Sequence, residues 1–263
     1  VNIHTGGVVY DVVAYPRNGT DEEYYPKFRV RTKCLVDKLP EAFRLISQIV
    51  RHSSFQDAKR LLEIIREVRA YWSRNLFRRG QQIVASRVLS YFSPVACFNE
   101  TGLLTFYDFI VTLEQMFESK KDEIVQNLKK VIDLLFNRSN LLVSFTADDA
   151  AYTMFKDHFA VLYNELGTAA VRPNDYLFKF AKRNEGLMTS GKVQYVAKAA
   201  NFRRLGFSYH GSLKVLETIL RYDYLWNRVR VRGGAYGGFA LFERSGNMVF
   251  GSYRDPNLSQ TLD

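Results

Sequence analysis

Apolar residues recur at helical spacing through Ala58, Leu61, Leu62, Ile65, Val68, Trp72 and Leu76, which predicts a long amphipathic helix with one buried stripe. Ser54-Phe55-Gln56-Asp57 ahead of it resembles a capping box. Arg78-Arg79-Gly80 interrupts the stripe, and a second helix carrying Ile83, Ala85, Val88 and Leu89 runs to a break at Ser93-Pro94. Thr101-Gly102-Leu103 restarts a helical segment through Met116. From Lys120, the positions Ile124, Leu128, Val131, Ile132 and Leu135 predict another. Nearer the N-terminus, Pro40 to Val50 reads as a helix start after the connection Asp37-Lys38-Leu39.

Strand patterns flank these helices. Val8 to Tyr15 is rich in Val, Tyr and Ala and ends at Pro16 and an Asn18-Gly19 turn. Phe28 to Leu35 alternates, with Phe28, Val30, Thr32 and Cys34 on one face and Arg29, Arg31 and Lys33 on the other. That basic face suits a solvated sheet surface or contact with a partner. Leu141 to Thr146 is a third β-rich run, followed by a helix capped by Asp148 or Asp149 and extending to about Gly167. Gly167 to Lys192 reads as a connection between domains, punctuated by Arg172-Pro173-Asn174, Gly186 and Gly191. Beyond it come a strand over Val193–Ala200, a helix for which Ser212 is the expected cap, and strands Phe239–Glu243 and Met248–Tyr253. Arg244-Ser245-Gly246-Asn247 joins that last pair as a hairpin turn. Mixed helices and strands in this order predict an α+β fold of helices layered on a mainly antiparallel sheet.

With 263 residues, 47% of them hydrophobic, the chain can bury a core for one large domain or parts of two. No apolar run approaches the roughly 20 residues that cross a bilayer, and no signal sequence opens the chain. The reading is a soluble protein of cytoplasm or organelle matrix, with no membrane partner and the compartment left open. A start at Val1 and an end at Asp263, directly after the hairpin, predict a fragment. Cys34 and Cys97 lie too far apart in sequence for a metal or redox pair and are expected as free thiols. The net charge of +10 invites a nucleic-acid partner, yet the basic residues are spread along the elements without a nucleic-acid motif. The charge instead gives a solvated surface or lines a cavity that attracts acidic substrates.

His4, His52, His158 and His210 are isolated, and none forms His-x-x-Glu-His or its inverse. A helical zinc site needs ligands one turn apart on one face, so no metal ligand is assigned in this chain. Nor is there a Gly-x-Ser-x-Gly elbow or a phosphate-binding loop.

What remains is the run Leu225-Trp226-Asn227-Arg228-Val229-Arg230-Val231-Arg232-Gly233-Gly234-Ala235-Tyr236-Gly237-Gly238. Gly233 and Gly234 stand where a helix needs a residue of positive φ to stop, and three arginines in the last turn suit the negative end of its dipole. A second reading has Arg230 and Tyr236 held on either side of a tight corner, where guanidinium and phenol both donate to one carbonyl or oxyanion.

This run resembles the signature of the presequence-protease branch of the pitrilysin/insulinase zinc metallopeptidases. His4-Thr5-Gly6-Gly7, Arg79-Gly80-Gln81 with Ala85 and Ser90-Tyr91-Phe92-Ser93, Thr101-Gly102-Leu103, and Ser252-Tyr253-Arg254-Asp255-Pro256-Asn257 resemble the same branch. The Gly-Gly-Ala-Tyr-Gly piece is the most specific. The resemblance implies the metallohydrolase fold of the insulinase family, built from four similar α/β units, with the zinc motif in the first and an Arg/Tyr pair in the last. Residues 1–166 would belong to a third unit, 167–192 to a connection and 193–263 to a truncated fourth. It also implies that zinc is bound by the N-terminal half of the intact protein, which partners this chain, and that peptides are the substrates. The catalytic roles carry over to Arg230 and Tyr236 only. In the intact enzyme a zinc-bound water, activated by a glutamate of the other half, attacks the peptide carbonyl while Tyr236 stabilises the oxyanion and Arg230 anchors the backbone. The fragment alone is expected to be inactive. A nonenzymatic assembly subunit of the same fold and a basic nucleic-acid-binding module are the alternatives.

Overall fold

In the computed structural model, which describes residues 3–18, 20, 22–172, 174 and 176–262, Asp57 starts the long helix. Its carboxylate accepts from the Arg60 amide at 2.9 Å, and α2 then spans Ala58–Arg78. Ser54 instead accepts from Gln56, three residues too early to cap the helix, so the expected capping box is replaced by a single aspartate cap. The preceding α1 (Leu39–His52) has Pro40 in its first turn and buries Leu39, Ala42, Phe43, Ile46 and Val50 along one stripe.

The chain forms two compact units, each discontinuous in sequence: residues 3–11, 28–66 and 112–176 make one, and 12–27, 67–111 and 177–262 the other. Strands β1 (Val8–Pro16) and β2 (Tyr24–Thr32) pair as a two-stranded sheet. Strand β2 begins four residues before the expected start and stops at Thr32, leaving Lys33, Cys34 and Leu35 outside it. The basic face is partly neutralised, because Arg29 holds Asp11 at 2.7 Å and Arg31 approaches the same carboxylate at 3.4 Å. These contacts lower the Asp11 pKa, the hydrogen bond from Arg29 first. Gly19 of the expected turn and Pro173 of the expected loop lie outside the described residues.

In the first unit α1 packs on α6 (Asp149–His158) and α7 (Ala160–Tyr163), with Phe43 meeting Phe155 and Phe159 edge-on at 5.6 Å. Asp148 caps α6 by accepting from Ala151 at 2.8 Å. The β-rich run Leu141–Thr146 is not a strand: it finds no ladder partner, and Leu142 stands 78% exposed. β propensity without an edge to pair with gives an extended loop.

In the second unit, α3 (Gly80–Ser90) and α4 (Pro94–Glu100) lie against an antiparallel sheet of order β3-β5-β4, formed by Gln194–Asn201, Asn247–Asp255 and Gly237–Phe242. Helix α4 occupies the stretch read as a break, since Ser93 caps it through the Ala96 amide and Pro94 takes its first position. The sheet is apolar on both faces. Leu89, Ala96, Val249, Ala197, Ala199 and Phe239 fill one side, and Phe202, Leu225, Ala240, Phe242, Met248 and Phe250 fill the other. The β4–β5 turn places Gly246 at φ +98°. Helix α5 (Leu104–Leu135) runs through both segments read as separate helices, and the gap between them survives as a kink at Lys120. A short helix, α9 (Ser259–Leu262), follows the last strand. Among the described residues no helix is long and apolar enough to cross a membrane.

Candidate functional site

Helix α8 (Ser212–Ile219) leads into the glycine corner. Gly211, not Ser212, is its N-cap, with helical φ/ψ and no side-chain cap; the Ser212 amide donates to the His210 imidazole at 3.2 Å. The helix then widens into two π-helical stretches, Leu220–Tyr224 and Trp226–Arg232, where an α-helix was expected. The Gly233 amide reaches back five residues to the Arg228 carbonyl at 3.0 Å, and Ala235 reaches six to Val229 at 3.1 Å. Such wide turns concentrate at functional positions. Leu225 and Val229 stay against the sheet cluster, while Trp226 and Arg230, one turn apart, lie together outside it.

The two glycines serve different needs. A Cβ on Gly233 would lie 2.6 Å from the Val229 carbonyl oxygen, so that position, at φ −80°, requires space. Gly234 has φ +77° and requires conformational freedom.

Around this corner Arg230 is held from three sides. Its guanidinium lies 4.3 Å from the Trp226 ring centroid and 5.3 Å from that of Tyr236, and Nη1 donates to the Tyr236 carbonyl at 2.7 Å. The structure therefore brings the two expected residues together, but through arginine to the tyrosine's own backbone. Tyr236 is 56% exposed, and its hydroxyl has no hydrogen-bond partner among the described residues. Arg228 stacks over Tyr224 at 6.0 Å, and Arg232 is exposed.

The end of β5 braces the corner from behind. Asp255 is fully buried and accepts from the Ser252 hydroxyl, from Thr261 Oγ1 at 2.8 Å and from the Asn257 amide at 2.8 Å. The Asn257 side chain donates to the Gly233 carbonyl, and the Tyr236 amide donates to the Arg254 carbonyl at 3.2 Å. Arg254 is the one non-glycine residue at positive φ among those described, +49°, a conformation that persists only where its surroundings impose it. Its guanidinium lies 5.6 Å from the Tyr236 ring.

Beside Tyr236 opens a cleft of about 220 Å³ lined by Arg78, Gln81, Tyr195, Tyr236, Tyr253 and Arg254. Two glycines make room for its aromatic wall: a Cβ on Gly80 would sit 2.2 Å from the Tyr195 ring, and one on Gly237 would sit 2.6 Å from the Tyr253 hydroxyl. The sequence pointed to none of these lining residues except Tyr236. The available signal was that Arg79-Gly80-Gln81 and Ser252–Asn257 both resembled the family without chemistry attached to them.

Elsewhere, the second unit ties its irregular segment 177–192 to α3. Glu185 receives Arg87 through two bonds of 2.7 and 3.0 Å and also accepts from the Tyr91 hydroxyl. The Arg87 contact pulls the Glu185 carboxyl down to about 2 and raises the arginine's own pKa, while burial and then Glu185 push Tyr91 up to about 12. Cys34 and Cys97 are free and partly buried, and burial raises both thiol pKa values. The histidines are scattered: His52 comes within 3.8 Å of Glu165, and among the described residues no group of three His, Cys, Asp or Glu side chains could hold a metal ion. These residues do not fit a zinc centre.

Two family profiles match, a peptidase-associated domain of the pitrilysin class over residues 1–113 and "PreP C-terminal domain" over residues 184–263. Protein HypA of Clostridium perfringens is 40% identical over 264 residues, covering 100% of this chain and 27% of that protein. Presequence protease 1, chloroplastic/mitochondrial, of Arabidopsis thaliana is 32% identical over 98% of this chain and 24% of its own length; the mitochondrial presequence protease of Danio rerio is 23% identical over 100% and 28%. The chain thus spans about a quarter of the length of these relatives. It belongs to the pitrilysin/insulinase family of peptidases, in the presequence-protease branch.

Proposed function

We propose that this chain forms part of a zinc metalloendopeptidase that degrades peptides, and that it contributes the substrate-binding and oxyanion-stabilising pair Arg230 and Tyr236 while the metal is held elsewhere in the protein. The observation carrying this reading is the arrangement at the corner: Arg230 fixed between two rings, with the adjacent Tyr236 hydroxyl exposed and unpartnered. A preorganised phenol of this kind donates to a carbonyl oxygen as negative charge develops on it. Arg230 has five N–H donors; one is occupied by the Tyr236 carbonyl, and the others face a peptide backbone. Zinc supplies the Lewis acid of such a reaction from the partnering N-terminal half, so this chain alone is inactive. The division into a third unit at 1–166, a connection at 167–192 and a fourth unit from 193 to 263 belongs to the same proposal.

The test is a set of substitutions in the full-length protein. Arg230→Lys keeps the charge but loses the planar fork and its stacking, and kcat/KM for a peptide substrate falls by about a hundredfold. Arg228→Ala and Arg232→Ala stay within about threefold of the parent, as ordinary surface changes do. Equal losses in all three would assign the arginines to the helix terminus and not to the substrate.

A further inference from the structure

The cleft beside Tyr236 has a composition that peptide-backbone binding does not require. Its polar lining is two guanidiniums, an amide and three phenols, and it contains no carboxylate. Among the described residues neither the Arg78 nor the Arg254 guanidinium has an acidic partner or a hydrogen bond. Elsewhere in the chain arginines are commonly paired, as in Arg29–Asp11, Arg51–Asp133, Arg66–Glu114 and Arg87–Glu185. Two unpaired arginines on one small cleft leave a local excess of positive charge.

Arg254 is also placed there by force. Its φ of +49° is imposed by its position between Tyr253, paired in the sheet, and Asp255, fully buried with three donors on its carboxylate. That backbone setting presents the side chain at the Tyr236 ring. Arg78 arrives independently, as the last residue of α2, and Gly80 lets the following helix come close enough to Tyr195 to shape the wall.

We propose that this cleft is a carboxylate-binding subsite, in which Arg254 and Arg78 bind an anionic group of the peptide while Tyr195, Tyr253 and Gln81 add uncharged donors. The proposal rests on peptides being the substrates, and it extends that reading to a selectivity for one chemical group. A planar carboxylate matches the guanidinium fork in two parallel hydrogen bonds. The carboxylate is supplied either by an acidic side chain or by the peptide's own C-terminus.

The test is binding of fluorescent peptides to the full-length protein stripped of metal, so that affinity is read without turnover. Each peptide is prepared with Glu or Gln at a single internal position, and each with a free-acid or amidated C-terminus. The unsubstituted protein binds one charged form roughly tenfold more tightly than its neutral counterpart, and the arm showing the difference identifies the source of the carboxylate. Arg254→Gln removes most of that preference. Arg78→Gln, at an exposed helix end where folding is not at stake, reduces it as well. A protein that binds charged and neutral forms equally, or an Arg254→Gln variant that keeps the full preference, would overturn the subsite. Peptides of every form failing to bind would instead strike the peptidase reading itself, which separates the two failures.

Discussion

Arg230 does two things at once at the residue scale: it locks the backbone of Tyr236 and leaves further donors free beside the phenol. Its stacking partners are local, Trp226 one turn earlier and Tyr236 six residues later, so the arrangement was partly legible from the spacing alone. What the sequence hid was the bracing by β5, because Asp255, Asn257 and Arg254 are near Gly233 and Tyr236 only after the sheet has formed. Asp255→Asn replaces an acceptor-only carboxylate with a group that brings two donors into a fully buried site already filled by three donors. We expect a loss of about 2 kcal/mol in denaturant unfolding, with the corner's amides exchanging faster. Unchanged stability would mean that the three bonds to Asp255 are not maintained in solution.

At the scale of elements, long amphipathic patterns were the legible part: α1, α2, α3 and the three strands of the second sheet lie close to where periodicity put them. The failures share a cause. Leu141–Thr146 has the composition of a strand but no edge to join, and the π-helical widening before Gly233 depends on packing of Leu225 and Val229 that periodicity does not register. Close approach is another quantity that pattern cannot carry. Gly80→Ala drives a methyl group into the Tyr195 ring and should cost about 1–3 kcal/mol, read as a lower unfolding temperature; an unchanged temperature would show that Tyr195 moves aside freely.

The clamp on segment 177–192 gives a pH test at the same scale. Arg87 lowers the Glu185 carboxyl from its ordinary 4.5 to about 2. A depressed carboxylate contributes its stabilisation fully above the ordinary value and loses it as pH falls through the folded value. Hydrogen exchange in 177–192 should therefore be slow above pH 4.5 and accelerate between 4.5 and 2, and Glu185→Gln should show the fast exchange at neutral pH. Exchange independent of pH and of this substitution would show that Glu185 does not hold the segment.

For the whole molecule, the chain carries a well-built corner and no metal-binding cluster among its described residues, and it spans about a quarter of each relative's length. A catalytic centre completed from another part of the protein accounts for both. The central claim is that the Tyr236 hydroxyl acts on the substrate in the transition state, and Tyr236→Phe in the full-length protein tests it most directly, because only one oxygen is removed from an exposed ring. The account predicts that kcat falls by roughly a hundredfold to a thousandfold with a smaller change in KM and an unchanged unfolding temperature. A variant with parental kcat/KM and a lowered unfolding temperature would contradict it, making Tyr236 a packing residue of the glycine corner.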